Sequence, residues 1–474
     1  MLLNKYNYKN LCEVIVSTFS QQGDQILEGI LRCMKQHSIT WMNDVDVLTQ
    51  ITTYLRVLSR SAICRNTMIH SAAFKDLTNL LLRYISHLPA VIHSELINSI
   101  AFIATHASDD SLKVAYFSDL SNAISRPFTA LLTPTFMENF QTTVIREKVV
   151  SSMEMFCGLV RASDETNSPI IYQTCSPFFN SFLDIMRVYS NYPDVELYVI
   201  MFFRDFALHQ SIDTLNNDDR QTLFKAVVSM FDIYTKHEVG RHHKVEGAES
   251  EGLLEDLSLL LQILSSLLNS EFEGYNNYQS NRVEGDVDIT YIVICGMNSL
   301  LPLVTEDMLH HPSLCLDFIT LVTLALQYIP DKVETLSPQL LESLVRALLY
   351  GVTKSTAIAE KSFLGIQHWA DNFKPSTPNA EILMGSLAKD LIYTILSKPF
   401  DFSLVDAAAL SVLAVWFVAP HAVDLMVQGD HISAVNLRDA KNQISLDPND
   451  SGKIETFQMA FSVLLTTIKA ESLV

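Results

Sequence analysis

Glycine is scarce in this chain, 14 of 474 residues, and that scarcity excludes more than any single motif establishes. Loops that cradle phosphate need glycines in close order so that backbone N–H groups can approach the ligand. The sequence has no G-x-G-x-x-G and no phosphate loop ending in Gly-Lys-Ser/Thr. It also lacks G-x-S-x-G and H-E-x-x-H, so neither a strained serine nucleophile nor a two-histidine zinc helix is encoded. No catalytic or cofactor-binding residue is therefore nominated, and an enzyme is not expected. Asn-Gly and Asp-Gly pairs are absent and strict polar–apolar alternation is rare, so strands are not expected either.

Other shortages narrow the class further. The seven cysteines, at 12, 33, 64, 157, 175, 295 and 315, never form a C-x-x-C pair. Odd in number and scattered, they support neither a disulfide framework nor a zinc site, and read as reduced core residues of a cytosolic or nuclear protein. The longest apolar run, residues 407–420, includes Ser411 and falls short of the ~20 residues that span a bilayer. The first ten residues carry Asn, Lys and Tyr where a secretory signal would have an apolar block. Charged side chains make up only 18%, yet 33 basic against 53 acidic residues leave a net charge of −20. Such a surface repels nucleic acid and anionic lipid, which need clustered Lys and Arg. It either suits basic partners or simply keeps the protein soluble.

What remains is apolar and helical. Hydrophobic residues reach 48%, which excludes disorder over most of the length. From 288 to 398 the pattern is one of successive amphipathic helices, with pairs of roughly 40 residues opening at Ser313 and Ser355. The helix after Ser337 is the clearest. Ser337 is a natural N-cap and Pro338 suits the first turn. Apolar residues at 340, 341, 344, 345, 348 and 349 share one face, and Gly351 stands where a left-handed terminator is favoured. The preceding segment, 314–329, is apolar on nearly every side and is expected between neighbouring repeats. Earlier pairs are 144–160 with 172–189, and 195–209 with 220–234, with Pro193, Pro312, Pro330 and Pro338 at boundaries. A helical hairpin cannot bury its face alone, so the predicted fold is all-α, a HEAT/armadillo-like helical-repeat solenoid, or superhelix. The organisation expected is irregular amino-terminal helical repeats over 1–142, HEAT-like repeats over 143–269, an exposed loop at 270–288, and carboxy-terminal HEAT-like repeats over 289–474. A second polar interruption lies at 237–252.

Three groups of residues could carry chemistry. Asp447, Asn449, Ser451, Gly452 and Ile454 match positions of a calcium loop, but Gln458 stands where a bidentate carboxylate is needed. A polar inter-helix turn explains the same residues. His242-His243 with His237, and His310-His311, lack both the spacing and the carboxylate of a metal site, so no metal is expected. Acidic residues cluster at Asp109-Asp110, Asp218-Asp219, Glu249, Glu251, Glu255-Asp256 and Glu306-Asp307. Helix starts favour them, or several could line an inner curve and attract cationic cargo.

The segment Ile294-Cys295-Gly296-Met297-Asn298-Ser299-Leu300-Leu301-Pro302-Leu303, continuing through Asp307, His310-His311-Pro312 and Leu314-Cys315, resembles the exportin-4 family of the importin-β (karyopherin) superfamily. Tyr328, Pro330 and Lys332 follow in the same order, as do Tyr234, Lys236, Gly240-Arg241, Leu264, Asn269 and Glu271-Phe272 upstream. A looser match extends from 172 to 461. The resemblance implies a HEAT-repeat nuclear transport receptor that shuttles between nucleus and cytoplasm, chiefly exporting protein. Its implied partners are Ran-GTP, nuclear pore proteins and protein cargo: a hypusine-bearing translation factor and Smad-type and Sox-type factors. It implies no cofactor, no nucleic acid and no membrane insertion. The match is to the carboxy-terminal half of longer family members, so a fragment, a partial gene model or a shortened form is expected, and no cargo-contacting residue carries over. The alternative is a HEAT-repeat scaffold that holds a complex together without Ran.

Overall fold

The computed structural model describes residues 20–106, 109–241, 250–273, 288–374, 378–426, 432–446 and 451–471, and every regular element among them is a helix. Contacts divide the chain into two compact units, 1–237 and 238–474. The first contains α1 (Ser20–Thr40), α2 (Val45–Ser59), α3 (Ala62–His70), α4 (Ala72–Arg83), α5 (His93–Thr105) and α6 (Asp110–Leu131). It continues with α7 (Pro134–Asn139), α8 (Thr143–Val160), α9 (Ser168–Cys175), α10 (Phe179–Val188) and α11 (Pro193–His209). Next comes α12 (Asn217–Arg241), which runs to the boundary between the units. Helices α2, α5, α8 and α11 form a ladder in which each packs on the next. Their first residues, 45, 93, 143 and 193, recur at about 50-residue intervals. Helix α6 covers the joint between α5 and α8, and α10 lies on α11.

The second unit repeats the plan. It holds α13 (Ser250–Glu273), α14 (Ile289–Leu300), α15 (Pro312–Tyr328), α16 (Pro330–Val333), α17 (Pro338–Gly351) and α18 (Thr356–Asp371). After these come α19 (Pro378–Ser397), α20 (Val405–Val418), α21 (Pro420–Met426), α22 (Ile432–Leu446) and α23 (Ser451–Glu471). The ladder here is α13, α15, α18, α20 and α23, with α14, α17 and α19 in the second layer. The starts at 312 and 356 match the two helix pairs read from the sequence.

Inner ladder helices such as α15 are apolar almost all round because they touch a neighbour on both sides. In α15, Leu314, Cys315, Phe318, Ile319, Leu321, Val322, Ala325 and Leu326 are all buried. Each fully buried Leu, Ile or Phe contributes about 1.5–3 kcal/mol. Buried hydroxyls tie the rungs together. Thr323 Oγ1 donates to Lys361 O at 2.9 Å, joining α15 to α18, and Ser411 Oγ donates to Phe363 O at 2.7 Å, joining α18 to α20. Helix Gly252–Ser270, within α13, is long and apolar enough to cross a bilayer. Leu257, Leu260, Leu261, Leu264, Leu267 and Leu268 on it are nevertheless buried in the unit, the pattern of a core helix. Cys64, Cys157, Cys175 and Cys315 are buried free thiols, Cys295 is half-buried and Cys33 is exposed; Cys12 lies outside the described residues.

Local expectations fare unevenly. Ser337 accepts from Leu340 N at 3.3 Å, and Pro193, Pro312, Pro330 and Pro338 each open a helix. The segment 172–189 is not one helix. Pro177 has no N–H to donate, and a short 3-10 turn, Ser176–Phe178, separates α9 from α10. Gly351 is not a left-handed terminator; it ends α17 in helical continuity, with Val352 as a right-handed cap. Its lack of a side chain is needed because a Cβ would run into Ser362 Oγ, itself fully buried on α18. Gly158 on α8 is tighter still. A Cβ there would lie 2.8 Å from Ser94 Cα and 2.9 Å from Ser94 C, both backbone atoms of α5. The polar stretches at 237–252 and 270–288 are shorter than read, since α12 reaches Arg241 and α13 spans Ser250–Glu273. Residues 242–249 and 274–287 lie outside the described residues.

Two stability predictions follow from these crossings. Leu321→Asp should lose about 3–5 kcal/mol in a denaturant titration, through an unpaired buried charge; an unchanged midpoint would mean that residue 321 faces water. Gly158→Ala should lose about 1–3 kcal/mol, because backbone cannot yield as a flexible side chain can.

Candidate macromolecule-binding surface

Packing leaves the ladder of the first unit little free surface. The C-terminal ends of its four helices converge on one edge, and each end leaves carbonyls without helical partners. Cations and side-chain donors gather there, as the helix dipole favours. Arg60 caps α2, and Arg65 Nη1 donates to Ser59 O at 2.8 Å. His106, following α5, bonds Phe102 O through Nδ1 at 2.9 Å. Beyond α8, Asn167 Nδ2 donates to Ala162 O and to Thr105 Oγ1, both at 2.9 Å. After α11, Gln210 Nε2 donates to Ser168 O at 2.7 Å. Asn167 thereby fastens the end of α8 to α5, and Gln210 fastens the end of α11 to the start of α9.

An ion-pair network crosses three rungs at this edge. Asp205 on α11 has no exposed side chain, and Arg161 Nε reaches its Oδ2 at 2.6 Å while Arg204 Nε lies 3.2 Å from Oδ1. Arg161 also donates through Nη1 to Ser94 Oγ on α5 at 2.9 Å. Burial lifts the Asp205 carboxyl above its ordinary value despite the attraction of the two arginines. Burial and the nearby Asp205 charge push the Cys157 thiol up as well, so this cysteine is a poor nucleophile. Glu154 on α8 is likewise raised by burial and accepts from Tyr198 OH at 2.9 Å; the Tyr198 phenol is pushed up to about 12. His209 is lowered by burial; Asp205 opposes that, while Arg161, Arg204 and Arg60 add to it.

The outer part of the cluster is aromatic and cationic. The Arg60 and Arg65 guanidiniums lie 4.5 and 5.0 Å from the centre of the Phe102 ring, and the His106 ring sits 4.2 Å from the same ring. His106 Nε2 pairs with Asp164 Oδ2 at 2.6 Å. Burial, and then the neighbouring Arg60 charge, lower Arg65 from its ordinary value. The arrangement holds positive charge in place; it contains no nucleophile–base pair.

Sequence candidates are placed elsewhere. Asp109 caps α6, accepting from Ser111 N at 2.9 Å and Leu112 N at 3.3 Å, and Asp218-Asp219 occupy the first turn of α12. Helix-start preference accounts for these. Glu306 lies 3.8 Å from Arg346, and Asp256 is buried on α13. The side chains of Asp110, Glu249 and Glu251 are not among those described. Residues Ser451–Gln458 form the first turns of α23, so most of the proposed calcium loop is helix rather than loop; Asp447 and Asn449 lie outside the described residues. His310 is exposed and packs 5.5 Å from Tyr350. His237 joins Glu196 at 2.9 Å, and His242-His243 lie outside. Among the described residues no cluster of His, Cys, Asp or Glu could hold a metal. The arginine cluster was missed because residues 60, 65, 161 and 204 are far apart in the sequence. One signal was available: an Arg or His recurs at each ladder-helix end, at 60, 106, 161 and 209.

A family profile described as Exportin-4 matches residues 10–394. The chain belongs to the exportin-4 family. Among solved structures it is similar to one titled importin 13 in its cytosolic state, with a TM-score of 0.51 at 13% identity. That match covers 99% of this chain and 53% of the other, so the chain spans about half the length of that protein. At such identity the likeness shows the fold alone, a HEAT-repeat helical solenoid. The exportin-4 family and this fold are those of karyopherin-type transport receptors.

The His209 shift has a sign that can be checked. A histidine whose folded pKa lies below the ordinary 6.5 contributes full stability above that pH and loses it as pH falls below it. An NMR titration of the ring should give a midpoint under 6.5, and His209→Gln should flatten part of the stability loss between pH 7 and pH 5. A midpoint above 6.5 would mean that attraction to Asp205 outweighs burial.

Proposed function

We propose that this chain is a nuclear transport receptor that binds protein cargo together with Ran in its GTP form, chiefly to carry protein out of the nucleus. The observation that supports the reading is the exportin-4 family match over residues 10–394, on a fold made of stacked helical pairs. Stacked pairs give extended surfaces suited to macromolecules rather than enclosed pockets. The net charge of −20 fits cationic cargo, and a hypusine-bearing translation factor is the cargo class proposed first, with Smad-type and Sox-type factors as others. Nuclear pore proteins are the remaining partners, and the protein shuttles between nucleus and cytoplasm.

A pull-down of hypusine-bearing cargo on the immobilised chain, with Ran loaded with GTP or GDP, tests this. Retention should rise with Ran-GTP and stay low with Ran-GDP. Equal retention in both states would favour a HEAT-repeat scaffold that works without Ran. Binding should also weaken with added salt, since screening reaches about 10 Å at 0.1 M.

A further inference from the structure

We propose that the edge formed by Arg60, Arg65, Phe102 and His106, backed by Arg161 and Arg204, is a docking site for an acidic segment of a partner protein. The inference does not depend on the transport reading. Its first support is charge. In a chain where acidic residues outnumber basic ones by 53 to 33, two guanidiniums lie over the Phe102 ring and two more flank the buried Asp205. The carboxylates beside them are occupied. Asp164 accepts from Thr166 N at 2.9 Å, from Thr166 Oγ1 at 2.7 Å and from Asn167 N at 3.2 Å, and pairs with His106 through its other oxygen. Asp205 is enclosed between Arg161 and Arg204. Arg60, by contrast, is exposed, and among the described residues its guanidinium meets the Phe102 ring and pairs with no carboxylate. Arg65 spends one N–H on Ser59 O and is partly balanced by the nearby Asp164 charge.

Geometry is the second support. Two guanidiniums against one ring are held in place by cation–π contact, so little ordering entropy remains to be lost when a carboxylate arrives. Guanidinium forks match carboxylates bidentately. A helix C-terminus explains why a cation stands at residue 60, but one cation would suffice for that. Like-charged neighbours bring repulsion that an incoming anion would relieve. A protein segment is the fitting occupant. It brings its negative charge locally, whereas a nucleic acid backbone would run on into the net negative field of the chain.

Fluorescence anisotropy of a labelled short peptide of alternating Glu and Asp, against the full chain at low salt, is the experiment. Arg60→Glu should weaken binding at least about tenfold with an unchanged melting temperature. Arg346→Glu, an exposed arginine of the second unit, should leave binding as it was. Should Arg60→Glu not fold, Arg60→Gln serves, with a smaller loss in the same direction. The proposal is overturned if the peptide does not bind the parent chain or binds parent and Arg60 variant alike. Equal weakening by Arg346→Glu, or tighter binding of an oligothymidylate of equal charge, would overturn it too.

Discussion

Everything in this molecule follows from helices that must be covered on two sides at once. A ladder rung such as α15 cannot be amphipathic in the ordinary sense, since both flanks meet another helix. Its stability therefore comes from neighbours and not from its own pairing partner. Close approach is then compulsory. Glycine 158 lets α8 reach the backbone of α5, and Gly351 makes room for the buried Ser362. Among the described residues Gly158, Gly296, Gly351 and Gly365 each stand where another helix comes close.

Coverage of the flanks dictates where polar chemistry can exist. With both sides apolar, only helix ends and one narrow stripe per rung stay wet. Parallel rungs bring their C-terminal carbonyls to a common edge, and unsatisfied carbonyls attract donors. Asn167 meets part of that demand at Ala162 O while also reaching the Thr105 hydroxyl of α5, and Arg161, at the end of α8, reaches the Ser94 hydroxyl of the same neighbour. The same side chains thus finish helices and register repeats. An ion network of this kind does not rank high as a source of net stability, because desolvating Asp205 works against it. Its contribution is to fix one arrangement of α5, α8 and α11, with positive charge left on the outer side.

Much of the fold was legible because periodicity and proline are local signals. Residues 314–329 and 338–351 declared themselves through uninterrupted apolar spacing bounded by Pro312, Pro330 and Pro338. The errors are instructive in physical terms. Pro177 sits inside a stretch of continuous apolar pattern, and the pattern hides the missing donor that breaks it. Gly351 occupies a position where two explanations, backbone freedom and lack of bulk, predict the same letter; only the distance to Ser362 separates them. The arginine cluster was illegible for a further reason. Its members meet through the repeat register, so Arg60 and Arg161 look like isolated helix-end cations, and Arg65 and Arg204 like ordinary helix residues, until neighbouring rungs are aligned.

Separation of charge sign gives the two proposed surfaces their distinct roles. Long-range attraction depends on net charge and brings cationic partners toward an acidic chain as a whole. Local recognition depends instead on which groups lack an internal partner. Asp109, at a helix start, already holds the Ser111 hydroxyl and two backbone N–H groups, which lowers its carboxyl pKa and leaves it less free to rearrange around a ligand. Arg60 and Arg65 have no such claim on their outer faces. An acidic chain that holds positive charge in place at one helix edge can meet partners of both signs without their competing for the same residues. That property comes from rung geometry, since the C-terminal ends that gather cations are the ends that packing leaves open.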